Sequence, residues 1–330
     1  MKAAVIDRFG DAEVLRIAED LPGPEIQANQ VLVRVAAAGI NPLDLRTREG
    51  DLRWIRGNRF PMILGNDLSG IVVECGKDVS QFHPGDLVFG MIDPNPVLAW
   101  NGFTQCGAYA EFAVARADTL AHKPESISHV EAASIPLVAL TAYQALGTDL
   151  KNKDVLINGA SGGVGTFAVQ LARAAGARVT AFCSEPNREA VRDLGAREVY
   201  DYRKQSVTDL PGQFDVIYDV AVTLKYSECH ELLKPDGRFI SNLISPSNFL
   251  STILQPALKP FCHGRINTYA FVKPSGQELE EISKLIELGH IRPVIDRVFD
   301  LQDVAAAHEH SQKTRGYGKV VLNVAENRVD

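Results

Sequence analysis

Closely spaced glycines mark the segment of the chain best suited to bind a phosphate group. The stretch 155–179 reads VLINGASGGVGTFAVQLARAAGARV: an apolar run typical of a buried strand, a glycine-rich turn, and the apolar positions of a packed helix. The N-terminus of a helix attracts anions, because its first N–H groups lack partners and its dipole is positive there. Gly162 has no Cβ, so a pyrophosphate could approach these N–H groups, and Gly165 would let the helix lie against the strand.

The first glycine of the usual G-x-G-x-x-G pattern is replaced by Ala160. The prediction therefore depends on context: a strand before the turn, a helix after it and a new strand at 178–182. We predict a dinucleotide-binding site at Ala160, Ser161, Gly162, Gly163 and Val164. The alternative is an ordinary turn between a strand and a helix.

The choice between NAD and NADP depends on the end of the next strand, about 20 residues further on, where an acidic residue would bind the ribose hydroxyls of NAD. Ser184 stands near this position and leaves room for a 2′-phosphate, and Arg188 could pair with that phosphate. Glu185 would favour NAD if it pointed inward, and Arg188 could instead be a solvated helix residue. We expect NADP(H).

The first 123 residues consist of short β segments separated by turn residues, which is typical of a compact, barrel-like β domain. From about residue 124, strands and helices alternate, which predicts a parallel sheet. The last part of the chain is expected to complete the first domain, so that the domains cover 1–123 with 270–330 and 124–269. The predicted strands are 3–6, 31–37, 71–74, 87–91, 109–113, 198–202, 214–220, 238–244, 294–298 and 320–324.

Capping boxes begin two of the predicted helices, one at Ser128 and Glu131 and one at Ser275 and Glu278. The first helix is expected to run through 132–146. The segment 245–273 contains several prolines, and we expect it to connect elements or to contact a partner subunit. Further helices are predicted at 187–194, 224–233, 279–288 and around 304–307.

Composition limits the classes of protein that fit the chain. With 330 residues, 45% of them hydrophobic, it can form two ordinary domains. The formal net charge of −7 argues against nucleic acid or an anionic membrane as a partner. The start of the chain lacks the apolar segment of a signal peptide, and the five scattered cysteines suit free thiols, so we expect a soluble cytoplasmic protein.

No metal site is expected from the sequence. Zinc requires three or four Cys, His or carboxylate ligands that converge on one point, and no tight cluster of these residue types is present. His308 and His310 lie two residues apart near a predicted helix end, a poor spacing for shared coordination. We predict that both are solvated surface residues.

Six motifs give the sequence a resemblance to the zinc-independent quinone oxidoreductase branch of the medium-chain dehydrogenase/reductase superfamily, including chloroplast-envelope quinone oxidoreductase-like proteins and alkenal/enone reductases. This resemblance runs over nearly the whole chain. It implies a GroES-like catalytic domain, built from both chain ends around an inserted Rossmann domain, and usually a homodimer. The motifs are AAAGINPLDLRTREG at 36–50, FPMILGNDLSGIVVECG at 60–76, FHPGDLVFGM at 82–91, GAYAEFAV at 107–114, AASIPLVALTAYQAL at 132–146 and GKVVL at 318–322.

The same resemblance assigns provisional roles to several residues. Asn41 would lie nearest the nicotinamide or the substrate, in the cleft between the domains; its alternative role is to form a turn before Pro42. Thr141 matches a threonine near the nicotinamide carboxamide, with helix packing as the alternative, and Tyr202 matches a tyrosine beside the 2′-phosphate. Trp54 and Trp100 are expected either to form stacking walls of the cleft or to anchor the core.

Zinc-dependent members of the superfamily have a Cys at the start of the segment matching 41–44 and a Gly-His-Glu at 65–67. Here Asn41, Asn66 and Asp67 leave both ligands missing. The resemblance therefore predicts an NADPH-dependent, zinc-independent reductase of quinones or α,β-unsaturated carbonyls. Two alternatives remain: a non-catalytic, crystallin-like NADPH-binding protein, and an enoyl-thioester reductase, which would carry a catalytic Tyr in the loop that reads GDLRW here. The sequence does not identify the physiological acceptor.

Overall fold

The structure, a computed structural model, describes residues 1–92, 107–243, 264–313 and 316–325. The chain is divided into two compact units. The first comprises Met1–Leu140, Lys273–Gly289 and Pro293–Asp330, and the second comprises Thr141–Val272 with His290–Arg292. The first unit thus contains both ends of the chain. The predicted domain boundaries, 1–123 with 270–330 and 124–269, stay a prediction.

The strands and helices of the described residues are numbered in chain order. The strands are β1 Ala3–Ile6, β2 Leu15–Ala18, β3 Gln30–Ile40, β4 Met62–Ile63, β5 Asp67–Cys75, β6 Leu87–Met91, β7 Phe112–Arg116, β8 Leu120–His122, β9 Asp154–Asn158, β10 Arg178–Cys183, β11 Glu198–Asp201, β12 Phe214–Asp219, β13 Leu233–Ser241, β14 Ile266–Tyr269, β15 Ile295–Asp300 and β16 Lys319–Asn323. The helices are α1 Pro42–Glu49, α2 Arg53–Arg56, α3 His129–Ala133, α4 Pro136–Leu146, α5 Gly163–Ala174, α6 Arg188–Asp193, α7 Tyr226–Cys229, α8 Gly276–Glu287 and α9 Val304–Lys313.

The first unit is β-rich. Its larger sheet has the order β15-β16-β3-β5-β6-β8, with β7 also paired to β3, and a smaller sheet has the order β2-β1-β4. Strand β16 runs antiparallel to β3, with Val320 opposite Ile40. This pairing places the start of β16 beside the end of β3, and the inward-facing Val, Leu and Ile residues of these strands form the core.

The second unit contains a parallel sheet with the order β11-β10-β9-β12-β13-β14. The chain order reverses between β9 and β12. In doubly wound sheets, ligands bind beyond the carboxyl ends of the strands at such a reversal point. Strand β9 and α5 are buried as the apolar pattern predicted, so the predicted α/β fold with a β-rich domain and a Rossmann sheet is confirmed.

Several predicted elements begin, end or divide differently in the structure. The helix predicted through 132–146 is two helices, α3 and α4, because Pro136 cannot donate the hydrogen bond that a continuous helix needs. Strand β7 starts three residues later than predicted. The helix predicted at 224–233 is reduced to α7 and a 3₁₀ turn, because the chain enters β13 at Leu233. Asp236 lies within β13 with a φ of 62°, beside an irregularity in the pairing of this strand with β12.

Cys75, Cys183 and Cys229 are free thiols, as predicted. Cys106 and Cys262 lie outside the described residues, as does most of the segment 245–273; within that segment, β14 is an edge strand of the described sheet.

Candidate active site

The glycine-rich turn follows β9 directly at the reversal point of the sheet. Gly159 has a φ of 86°, a left-handed conformation that favours glycine. The backbone N–H groups of Gly159 and Ala160 both donate to the carbonyl oxygen of Phe182 in β10, at 3.0 and 2.9 Å. Gly162 is the N-cap of α5, so the predicted residues 160–164 form the turn and the first residues of the helix. The helix begins at Gly163.

Gly162 and Gly165 differ in how much space surrounds each residue. A Cβ on Gly165 would lie 2.1 Å from the carbonyl oxygen of Gly159 and 2.7 Å from Cα of Ala160, so any side chain would push α5 away from the turn. A Cβ on Gly162 would meet only the Gly159 oxygen, at 3.7 Å. The fold thus requires glycine at 165, whereas the space at 162 is open for a ligand. These residues fit a bound pyrophosphate.

A buried carboxylate at the end of β12 organises the loop beside this turn. Asp219 accepts hydrogen bonds from Nδ2 of Asn158 at 2.8 Å, and from the N–H groups of Thr223 and Leu224 at 3.3 and 2.8 Å. Burial raises the pKa of Asp219. Val222 has a φ of 56°, which is strained for a β-branched residue, and these bonds hold the loop in that conformation. No residue of this cluster was predicted from the sequence.

The residues predicted to select NADP meet at the carboxyl ends of β10 and β11. Tyr202 N–H donates to the carbonyl oxygen of Cys183, which places Tyr202 beside Ser184. Nε of Arg188 donates to the carbonyl oxygen of Val199 at 3.2 Å. The structure therefore brings Ser184, Arg188 and Tyr202 together at the carboxyl ends of β10 and β11.

Glu185 is held at the same edge by two cations. Its carboxylate accepts from Nη1 of Arg188 at 2.8 Å and from Nζ of Lys204 at 2.7 Å. Lys204 and Arg188 lower the pKa of Glu185. Sequence analysis did not find Lys204, although the basic pair Arg203-Lys204 directly after Tyr202 was a signal. Two cations that converge on one exposed carboxylate form a site where a 2′-phosphate could compete with Glu185.

In the first unit, Asn41 lies between β3 and α1, where it caps the helix. Its backbone N–H donates to Oδ2 of Asp44 at 2.9 Å. Its side-chain Nδ2 donates to Oδ2 of Asp67 at 2.9 Å, and its Oδ1 accepts from Nζ of Lys319 at 2.7 Å. Asp67 also accepts from the N–H of Leu137 at 2.9 Å. Asn41 and Asp67 are fully buried, and Lys319 is only 4% exposed.

The hydrogen bonds continue from Asp44 into the core. Oδ2 of Asp44 accepts from the Tyr109 hydroxyl at 3.2 Å, the hydroxyl lies 3.3 Å from Nε2 of His308, and Nδ1 of His308 lies 3.4 Å from Nη1 of Arg48. These residues are buried. We call the whole set the Asn41 network: Asn41, Asp44, Arg48, Asp67, Tyr109, His308 and Lys319.

The prediction that His308 is a solvated surface residue was wrong. It lies on the face of α9 that packs into the core, and its ring is fully buried. Burial, with the Arg48 cation beside it, lowers the pKa of His308 to about 3. His310 is also not fully solvated, because its ring pairs with Asp296 at 2.6 Å.

Charges within the Asn41 network balance, with two cations and two carboxylates. Burial raises the pKa of Asp67 to about 7, against the opposing effect of the Lys319 ammonium. Burial lowers the pKa of Lys319, again opposed by the neighbouring carboxylates of Asp67 and Asp44. Only Asn41 of this network was a predicted site residue. The signal that could have identified Lys319 is a lysine directly before the apolar run of β16.

The residues that replace zinc ligands do not fit a zinc ion. The oxygen of Asn41 faces the Lys319 ammonium, Asn66 Nδ2 donates to the carbonyl oxygen of Ile92, and both carboxylate oxygens of Asp67 accept hydrogen bonds. Zinc prefers thiolate, imidazole and carboxylate ligands, and a neighbouring ammonium would repel it. The residues described by the structure contain no group of three or more His, Cys, Asp or Glu that could hold a metal ion.

The remaining predicted residues have the following positions. Thr141 is buried in α4, where both its cofactor role and its packing role stay predictions. Trp54 is 85% exposed, with the Arg53 guanidinium 5.4 Å from its ring, so it does not anchor the core. Its role as a stacking wall stays a prediction. Trp100 lies outside the described residues.

Comparisons with known proteins agree with this architecture. The family model described as alcohol dehydrogenase GroES-like domain matches residues 27–125, and the model described as zinc-binding dehydrogenase matches residues 194–322. The chain is 38% identical to the mitochondrial NAD(P)H oxidoreductase RTN4IP1 of Mus musculus, over 98% of this chain and 89% of the relative.

Two further relatives have similar coverage of this chain. The chloroplastic NADPH-dependent alkenal/one oxidoreductase of Arabidopsis thaliana is 30% identical, over 98% of this chain and 79% of its own length. The structure of the quinone oxidoreductase from Coxiella burnetii superposes with a TM-score of 0.82 at 31% identity, over 98% of this chain and 99% of that one.

A doubly wound sheet with a glycine turn at its reversal point, and a β-rich unit built from both chain ends, define an NAD(P)H-dependent oxidoreductase. The chain belongs to the medium-chain dehydrogenase/reductase family, which confirms the resemblance found in the sequence. The model described as zinc-binding dehydrogenase matches residues 194–322, which do not include Asn41, Asn66 or Asp67, so independence of zinc stays a prediction.

Proposed function

We propose that the protein is an NADPH-dependent, zinc-independent reductase of quinones and α,β-unsaturated carbonyls. The observation that carries this proposal is the Asn41 amide, held between Lys319 and Asp67 where zinc enzymes place ligands. The names of the relatives support it, because they include an alkenal/one oxidoreductase and a quinone oxidoreductase. NADPH as the cofactor is supported by Arg188 and Lys204 at the end of β10 and β11.

Asn41 would stabilise the charge that develops on the substrate oxygen. One N–H of its amide is bonded to Asp67, and the described residues give the second N–H no acceptor. Bound NADPH supplies a hydride to the β-carbon of an enone or to a quinone. The second N–H of Asn41 would donate to the oxygen of the resulting enolate or quinol anion, which then takes a proton from solvent. Because Asn41 is fully buried, a substrate must displace the groups that cover this amide before it can accept the hydrogen bond.

An uncharged donor favours acceptors that are already electron-poor. Conjugated enones and quinones spread the incoming charge over several atoms, whereas a saturated ketone concentrates it on one oxygen and depends more on a Lewis acid. The site therefore favours conjugated acceptors. Steady NADPH oxidation with an enone also separates this function from the alternative of a non-catalytic, NADPH-binding protein.

The experiment compares turnover of an enone with that of its saturated analogue, for the parent protein and for Asn41→Ala. We expect turnover of the enone alone, and a decrease of about 100-fold in kcat for the variant, with a smaller change in KM. Comparable rates on both substrates, or an unchanged kcat in Asn41→Ala, would contradict the proposal.

The assembly and location of the protein are also proposals. We infer a homodimer in the cytoplasm, with a small quinone or enone as its ligand and neither nucleic acid nor membrane as a partner. Within the described residues, no helix is long and apolar enough to cross a membrane. The mouse relative is named mitochondrial and the Arabidopsis relative chloroplastic. Fractionation of cells that express the protein, followed by sedimentation of the purified material, tests both inferences.

A further inference from the structure

Lys319 is a buried ammonium group whose position needs an explanation beyond packing. It lies at the start of β16 and is 4% exposed. Its Nζ donates to Oδ1 of Asn41 at 2.7 Å and to the carbonyl oxygen of Ile40. Removal of an ammonium from water costs several kcal/mol, and an apolar side chain at this strand position would avoid that cost. An apolar residue could neither compensate the buried Asp67 carboxylate nor donate a hydrogen bond to the Asn41 oxygen.

The hydrogen-bonding chemistry of Lys319 and Asp67 determines which way the Asn41 amide faces. An amide can exchange its oxygen and nitrogen by a half-turn with almost no change in shape. Lys319 can only donate, so it requires the oxygen; the Asp67 carboxylate, when ionised, can only accept, so it requires the nitrogen. The two charged groups together allow one orientation, and this orientation fixes the direction of the second N–H.

We propose that Lys319 is a positioning residue for the reduction, which acts by fixing the Asn41 amide so that its second N–H meets the oxygen of the substrate. The inference rests on the proposed function, because it needs Asn41 to contact the substrate. The ammonium also polarises the amide through its oxygen, which strengthens the amide N–H as a donor. Without Lys319, the amide would be held only through its nitrogen by Asp67, so its second N–H would no longer keep one direction towards the substrate oxygen.

A double-mutant cycle tests this inference directly. Lys319→Met, Asn41→Ala and the double variant are assayed with an enone at saturating NADPH. We expect Lys319→Met to lower kcat by about 10- to 100-fold. Since Lys319 acts through Asn41, the double variant should be no slower than Asn41→Ala alone. NADPH affinity, measured by fluorescence titration, should stay within twofold of the parent (about 0.4 kcal/mol) for each variant.

A second variant covers the possibility that Lys319→Met does not fold, because it leaves the Asp67 carboxylate buried without its cation. Lys319→Met combined with Asp67→Asn removes both charges and should restore Tm, while kcat stays low because the amide is no longer oriented. Lys234→Met is the matched control. Lys234 bridges the carboxylates of Asp154 and Asp215 in the second unit, so its loss should lower Tm and leave kcat unchanged.

The outcomes separate the two proposals. An unchanged kcat in Asn41→Ala would overturn the role of Asn41, and with it the inference. A reduced kcat in Asn41→Ala together with a normal kcat in Lys319→Met would overturn the inference alone. The same holds if the double variant loses the product of the two single effects, because Lys319 would then act independently of Asn41.

Discussion

The glycine turn of the second unit and the Asn41 network of the first unit are built in opposite ways. The turn uses seven consecutive residues, 159–165, and its important groups are backbone N–H groups and missing side chains. The network uses side chains from separate parts of the chain, and Asn41 and Lys319 are 278 residues apart in sequence. One site is made by local conformation and the other by the register of distant strands.

The two sites tolerate different changes. The turn depends on space, so a single methyl group is enough to disturb it. The network depends on balanced charge and hydrogen bonds in a buried setting, so it responds to protonation and to the loss of a partner. Variants that disturb the turn and variants that disturb the network should therefore differ in their effects.

The largest effect is expected from an added methyl group in the turn. Gly165→Ala places a Cβ 2.1 Å from the Gly159 carbonyl oxygen, so α5 must move away from the turn. We expect NADPH binding to be lost and Tm to fall. Differential scanning fluorimetry and NADPH fluorescence titration measure the two quantities.

Gly162→Ala is the matched control, because a Cβ there meets only one atom, at 3.7 Å. This variant should keep the Tm of the parent and still bind NADPH at least about tenfold more weakly, a loss of about 1.4 kcal/mol. Normal NADPH affinity in Gly162→Ala would show that the pyrophosphate does not lie at this turn. A normal Tm in Gly165→Ala would show that the contact between helix and turn is not tight.

The sequence predicted the fold and the glycine turn because both depend on local signals. Apolar runs identify β9 and β12, and glycine identifies the close contact at Gly165. The network could not be predicted in the same way. The pairing of β16 with β3 brings Lys319 to Asn41, and the packing of α9 buries His308; neither register is visible in a single sequence.

Within the network, His308 should make folding stability sensitive to acid, whereas Asp67, whose folded pKa is raised to about 7, contributes a slope of opposite sign below about pH 7. The pKa of His308 is about 3 in the folded protein and about 6.5 in an unfolded chain. Because the folded value is depressed, the contribution to stability is complete above about pH 6.5 and is lost as the pH falls towards 3. The free energy of unfolding should fall by about 1.4 kcal/mol per pH unit in this window from His308 alone.

His308→Gln removes this titration, so the free energy of urea unfolding, measured for the variant and the parent at several pH values between 6.5 and 3, should fall less towards acid in the variant. His129→Gln is the matched comparison, because burial lowers the pKa of His129 to about 4, and its Nδ1 lies 2.8 Å from the Ser69 hydroxyl within the same unit. The pKa of His129 is lowered less than that of His308, so His129→Gln should change the pH dependence of unfolding less. An unchanged slope in His308→Gln would mean that the ring is not buried as described.

The smallest effect is expected at the carboxyl ends of β10 and β11 in the second unit, where Arg188 and Glu185 form an exposed ion pair. Arg188→Ala removes one of the two cations around Glu185. A charge-assisted hydrogen bond contributes about 1.5 to 3 kcal/mol, and partial exposure reduces this, so NADPH affinity should fall by about tenfold. NADH affinity should be nearly unchanged, because NADH has no 2′-phosphate. Equal losses for both cofactors would refute the assignment.

Glu185→Gln changes the same site in the opposite direction. The carboxylate accepts from both Arg188 and Lys204, so a 2′-phosphate must compete with it for both cations. Removal of the carboxylate charge should therefore strengthen NADPH binding by about a few-fold and leave NADH binding unchanged, and added salt should reduce the effect. Weaker NADPH binding in Glu185→Gln would mean that Glu185 orients the two cations for the phosphate instead of competing with it. Either result identifies the anion-binding edge of the second unit, and neither should change kcat, because Glu185 and the Asn41 network lie in separate units of the chain.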